Sequence, residues 1–145
     1  MLKRFKLLLY VFLFLNFINL AFSSENLFEE AKKKYDEKKL EESKFIFQRN
    51  IVFNPKDSKS YLYLAKIYNN EENIKEEEKN LKTTLLLDPS NEEATYMTIQ
   101  IELKRSNYSR VKELTKTFLK ICKTLCEKEK SILKSLKNLE PKNES

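Results

Sequence analysis

The sequence predicts an all-α fold built from helical hairpins stacked one on the next. Three observations carry that prediction. The 145 residues include no Gly and only three Pro, so tight sheet turns that depend on Gly have nothing to build them. Apolar residues recur at helical spacing along most of the chain. Residues 40–91 also repeat: a shift of 34 residues places Asn54-Pro55 on Asp88-Pro89, Phe47 on Leu81, Ile51 on Leu85, Phe53 on Leu87 and Leu40 on Ile74. A fixed period of that length marks units that cannot bury their apolar face without a neighbour.

Each element follows from its residues. From Asn26, Leu27, Ala31 and Tyr35 form one helical stripe, and residues 36–39 break it. LEESKFIFQRNIVF is the second helix; Asn54 is expected to take a left-handed conformation at its end, and Pro55 stops it. Ser58 or Ser60 is expected to cap the third helix, whose Tyr61, Leu64, Ala65 and Tyr68 share a face. After the loop NNEEN, IKEEEKNLKTTLLL runs to Asp88-Pro89, with its acidic residues between Glu71 and Glu78 on an exposed face. Asn91 caps EEATYMTIQIELKR, and Ser106-Asn107 turns the chain into YSRVKELTKTFLKIC. A last amphipathic helix carries Leu125, Ile132, Leu133 and Leu136 and ends at Glu140-Pro141, leaving residues 141–145 as a frayed tail. Three hairpins and a closing helix result.

The N-terminus has a different character. MLKRFK is short and basic, the run LLLYVFLFLNFINLAF is apolar apart from Asn16 and Asn19, and SSEN turns polar. This is the layout of a secretory signal peptide, with Ala21 and Ser23 as the small residues before a cut after Ser23. Residues 1–23 are thus read as a signal and 24–140 as the helical domain. The apolar run has sixteen residues, short of the roughly 20 that span a bilayer as a helix. The alternative is an uncleaved inner-membrane anchor facing the periplasm; the leading expectation is a periplasmic or secreted chain.

Composition narrows the chemistry. The absence of His removes His-based triads, general bases and metal ligands, and two Cys without His do not make a structural zinc site. The formal charge is +6; without Lys3, Arg4 and Lys6 the 28 basic residues become 25 against 22 acidic, a net of +3. Spread over a mixed helical surface, that does not point to nucleic acid. No catalytic cluster of Ser, Lys, Asp, Glu or Cys stands at a meaningful spacing. No enzyme activity, cofactor, metal or small-molecule substrate is expected.

Over Ala31 to Pro89 the chain resembles the tetratricopeptide repeat family. The second unit carries the family's pattern as Tyr61, Leu64, Ala65, Tyr68, Leu81, Thr84 and Pro89, with Glu77 standing where a small residue belongs. The first unit offers Leu27, Ala31, Ser43, Phe47 and Pro55, with Glu30 and Lys34 at positions that are usually apolar. In the third, Ala94 and Tyr108 fit, Thr98 and Glu102 do not, and no Pro closes the unit. The resemblance implies a right-handed solenoid of about three repeats whose first helices line a concave groove for a peptide or a partner's helix. The groove positions it implies are Phe28, Lys32 and Tyr35, then Leu62, Lys66 and Asn69, then Tyr96 and Gln100. Aromatics interleaved with Lys suit a ligand with apolar side chains and an acidic group. The carboxylate-clamp branch has a basic residue where Phe28 and Tyr96 stand, and this chain departs from it.

Cys122 and Cys126 are the only thiols. In one unbroken helix that spacing is poorly directed for bonding, but the repeat period puts a turn at 123–125, between them. With an oxidising compartment, a structural disulfide is expected. The spacing is not C-x-x-C, so a redox-active pair is not. The function these readings imply is a non-catalytic interaction scaffold of the cell envelope, acting in assembly or biogenesis of an envelope complex. The alternative is an assembly factor held by its N-terminal helix.

Overall fold

A computed structural model describes residues 27–139. The signal segment, the expected start at Asn26 and the expected tail lie outside the described residues. Within them, every regular element is a helix: α1 over 27–36, α2 (Leu40–Phe53), α3 (Ser58–Asn70), α4 (Ile74–Leu87), α5 (Glu92–Lys104), α6 (Tyr108–Ile121) and α7 (Lys128–Leu139). They divide into two compact units, one through Ser60 and one from Tyr61.

The 34-residue period governs the backbone. Lys38, Glu72 and Ser106 hold φ of 62°, 56° and 54°, and each follows the first helix of a hairpin. The next amide reaches back five residues, from Lys39 to the Lys34 carbonyl, Asn73 to Tyr68 and Asn107 to Glu102. Each hairpin thus turns through a Schellman-type C-cap, with a non-Gly residue in the left-handed region that Gly normally occupies. Asn73 and Asn107 then cap the following helices by accepting from the amides of Glu76 and Arg110.

The turns between hairpins work differently. Asn54 is not left-handed as expected; its φ is −131°, and that of Asp88 is −138°. Their amides donate to the carbonyls of Asn50 and Thr84, and their own carbonyls accept from Asp57 and Asn91. Pro suits the second place of such a turn, where its fixed φ is an asset and its missing N–H is not needed. The cap of α3 is Asp57 rather than Ser58 or Ser60, because a carboxylate one residue earlier reaches the Lys59 amide at 3.2 Å. Ser60 is buried instead and donates to Asp57, while Asn50 donates to both.

In the first unit, Ala31 and Phe47 are fully buried. Ser43 Oγ donates to the Ala31 carbonyl at 2.9 Å, so a small polar residue lets α2 approach α1 closely. In the second unit, Leu62, Ala65, Leu81, Ala94 and Ile101 form one cluster. Ile99, Val111, Leu114, Phe118, Ile132 and Leu136 form another, so α7 closes the α5–α6 hairpin. Leu133 is 46% exposed and does not join that core.

The acidic run is not wholly an exposed face. Glu77 is 2% exposed and accepts from Asn69 Nδ2 at 2.9 Å. Burial pushes its carboxyl up, partly offset by that bond and by Lys104. Glu78 holds Arg105 through two bonds of 2.9 and 3.0 Å, which lowers its own pKa.

Candidate functional site

The expected groove residues fall in both units, and each set stands by itself. In the first unit, Phe28 is half-buried, with its ring 5.7 Å from that of Phe47 and Lys59 Nζ 5.9 Å from its centroid. Lys32 pairs with Asp36 at 2.7 Å one turn on, and Tyr35 is half-buried. In the second unit, α3 and α5 meet through Leu62, Ala65 and Ala94. The small side chains at 65 and 94 let two first helices lie close together. Lys66 crosses from α3 to Glu93 on α5 at 2.7 Å, with its Nζ 4.8 Å from the centre of the Tyr63 ring.

The five positions expected on α3 and α5 divide in two. Leu62 is 7% exposed and belongs to the core, and Tyr96 packs against the α6–α7 cluster with its ring 6.1 Å from Phe118. Lys66, Asn69 and Gln100 keep accessible surface. The ledge they offer is polar. Asn69 already donates to Glu77, so its carbonyl oxygen is the part a ligand could use.

A shallow depression of about 360 Å³ lies where Leu62, Asn91, Glu93, Ile121 and Lys123 converge, next to the Lys66–Glu93 pair. A larger one, about 550 Å³, opens among α4, α5 and α6 between Leu85, Leu86 and Thr98. Its charged rim is engaged: Glu78 with Arg105, Arg110 with Glu113. Leu86 is 80% exposed at that edge. Sequence periodicity placed no site there, because position 86 reads as one apolar residue in a run.

Cys122 and Cys126 are bonded, with Cα atoms 5.3 Å apart. The bend that brings them together is the one the period placed at 123–125. Its anchor was not foreseen. Glu92, in the first turn of α5, accepts from the backbone amides of Lys123 at 2.6 Å, Thr124 at 3.1 Å and Leu125 at 3.2 Å. The Thr124 hydroxyl donates to it as well. These bonds, the hydroxyl's first, pull its carboxyl down to about 2. The one available signal was the missing proline: Lys123 stands in the register of Pro55 and Pro89, and its amide is free to bond.

No protein-family model and no curated protein matches the sequence. Solved structures do match. The first TPR domain of Spaghetti (RPAP3), solved with an HSP90 peptide, aligns with a TM-score of 0.70 at 15% identity over 80% of this chain and 92% of that one. The Yersinia enterocolitica type III secretion chaperone SycD, solved with a peptide of the translocator YopD, gives 0.67 at 14% over 79% and 90%. The TPR domain of Arabidopsis OM64 gives 0.65 at 17% over 81% and 93%. Hairpins repeating at 34 residues, each turned by the same cap, define a helical-repeat protein. Its fold is the tetratricopeptide repeat fold.

Proposed function

We propose that this chain is a non-catalytic scaffold that holds a peptide or a partner's helix against its first helices. The observation that carries the reading is the α3–α5 ledge, where Lys66, Asn69 and Gln100 keep accessible surface and Lys66 pairs with Glu93 at the lining of a depression walled by Leu62 and Ile121. A ligand with an apolar side chain and a carboxylate would enter the depression and compete with Glu93 for Lys66. The pair is partly solvated, so exchanging one carboxylate for another costs little. The neighbours' own complexes support this reading: the Spaghetti domain was solved with a peptide, and so was SycD.

We place the scaffold in the cell envelope, exported by residues 1–23 and acting in assembly of an envelope complex. The support is the basic, apolar and polar succession of those residues together with the Cys122–Cys126 bond, which suits an oxidising compartment. Determining the first residue of the mature chain checks the export step: Ser24 supports it, and Met1 supports the anchored alternative.

The binding reading is tested by affinity purification from the native host. Lys66→Glu and Gln100→Trp should abolish co-purification of a partner that wild type retains while leaving thermal unfolding unchanged. Equal recovery by wild type and both variants would remove the ledge from the account.

A further inference from the structure

We infer that α7 is a thiol-releasable cover on the apolar face formed by α5 and α6. The face consists of Ile99, Val111, Leu114 and Phe118, and α7 fills it with Ile132 and Leu136, one helical turn apart. The remainder of α7 is chiefly Lys, Ser, Glu and Asn, with Leu133 half-exposed. Among the residues whose side chains are described, Ile132 and Leu136 are the buried aliphatic anchors of a twelve-residue helix, and helices that short do not persist alone in water. Docking therefore depends on how tightly the segment before α7 is tied down.

That segment has two fastenings. The Glu92 carboxylate gathers the amides of Lys123, Thr124 and Leu125. The disulfide joins Cys122, the residue that ends α6, to Cys126, two residues before α7 begins. The first and second inter-hairpin turns close on their own carbonyls, from Asp57 to Asn54 and from Asn91 to Asp88. At the third, the equivalent amide of Leu125 goes to Glu92 instead. The turn thus lacks the internal closure of its counterparts, and the covalent bond supplies it. Cys122 is only partly buried and Cys126 is exposed, so a reductant can reach the bond.

Release proceeds by exchange with a dithiol reductant. One of its thiolates attacks a cysteine sulfur, the other cysteine leaves as a thiolate and takes up a proton, and a mixed disulfide forms. The second thiol of the reductant then displaces the protein sulfur. The protein gains two electrons and two protons, ending with free Cys122 and Cys126 thiols, and the reductant ends as a disulfide. The bend loses its covalent closure, and α7 exchanges between docked and released states.

Amide hydrogen exchange on the full chain tests this, before and after reduction and alkylation of the folded protein, so no variant has to fold. Reduction should speed exchange in residues 128–138 by roughly tenfold or more, leaving the α3–α4 amides unchanged. A synthetic peptide of residues 127–139 should then bind the reduced, alkylated protein and not the oxidised one. Unchanged α7 exchange would overturn the inference by showing that Glu92 and the apolar contacts suffice. Simultaneous loss of protection from residue 61 onward would overturn it too, making the disulfide a global staple rather than a local latch.

Discussion

Glu92 shows what one side chain does when a repeat loses its proline. A proline at 123 would have no amide to give; lysine has one, and the carboxylate of the α5 first turn takes it at 2.6 Å. Lys123→Pro should therefore destabilise the chain, although it restores the pattern of the first two turns, by about 1–3 kcal/mol in denaturant unfolding. The Glu92 carboxyl is depressed to about 2 in the folded chain from an ordinary value of 4.5. A depressed carboxyl contributes stability that is fully present above the unfolded value and fades as pH falls through the folded one. Wild type should accordingly unfold at a higher temperature than Glu92→Gln at pH 6. The gap should close between about pH 4.5 and pH 2, as thermal melts across that range would record. Glu77 has the opposite sign, because burial raises its carboxyl and ionising it above the unfolded value costs stability. Gln at that position keeps an oxygen for Asn69 and drops the charge. Glu77→Gln is expected to raise stability at pH 7 by about 1 kcal/mol and to lose that advantage as pH falls from the raised folded value to about 4.5, below which the wild-type carboxyl is protonated in both states.

At the scale of the element, the apolar stripes and the two Asx-Pro pairs made helices and their ends legible from the residues alone. Caps were read less well, for a physical reason. Asn54 looked like the residue to go left-handed because Asn tolerates that region, yet the turn needs an extended residue before Pro. The left-handed positions fell instead on Lys38, Glu72 and Ser106, residue types that give no such sign. Replacing Glu72 or Ser106 with Gly should therefore stabilise the chain by about 0.5–1 kcal/mol, against the usual direction for Gly substitution. Buried polar partners such as Ser43 with Ala31, or Asn50 with Asp57, were illegible because a hydrogen bond across a turn leaves no periodic trace. The third hairpin, with the weakest sequence pattern, has a well-filled core, and Phe118→Ala should cost about 3–5 kcal/mol there. Ile132 and Leu136 each contribute about 1.5–3 kcal/mol by burial.

For the whole molecule, the period was legible because a hairpin of this kind has an apolar face that needs a neighbour, and that requirement writes itself into residue spacing. The expected groove was read from the sequence only as a set of positions. Leu62 and Tyr96 turn out to be committed to packing, while Lys66, Asn69 and Gln100 keep surface. One sequence position cannot reveal which side of that line it falls on, since an aromatic or Leu on a first helix serves either purpose. The proposed function stands on a partner being held by the first helices of the hairpins. Photo-crosslinking in cells of the native host tests it most directly, with a photoreactive residue placed in turn at 66, 69 and 100 and, for comparison, at the exposed Val52 and Leu86. One common adduct is expected from positions 66, 69 and 100, and none from 52 and 86. An adduct confined to 52 and 86 would place the partner on the second helices and contradict it.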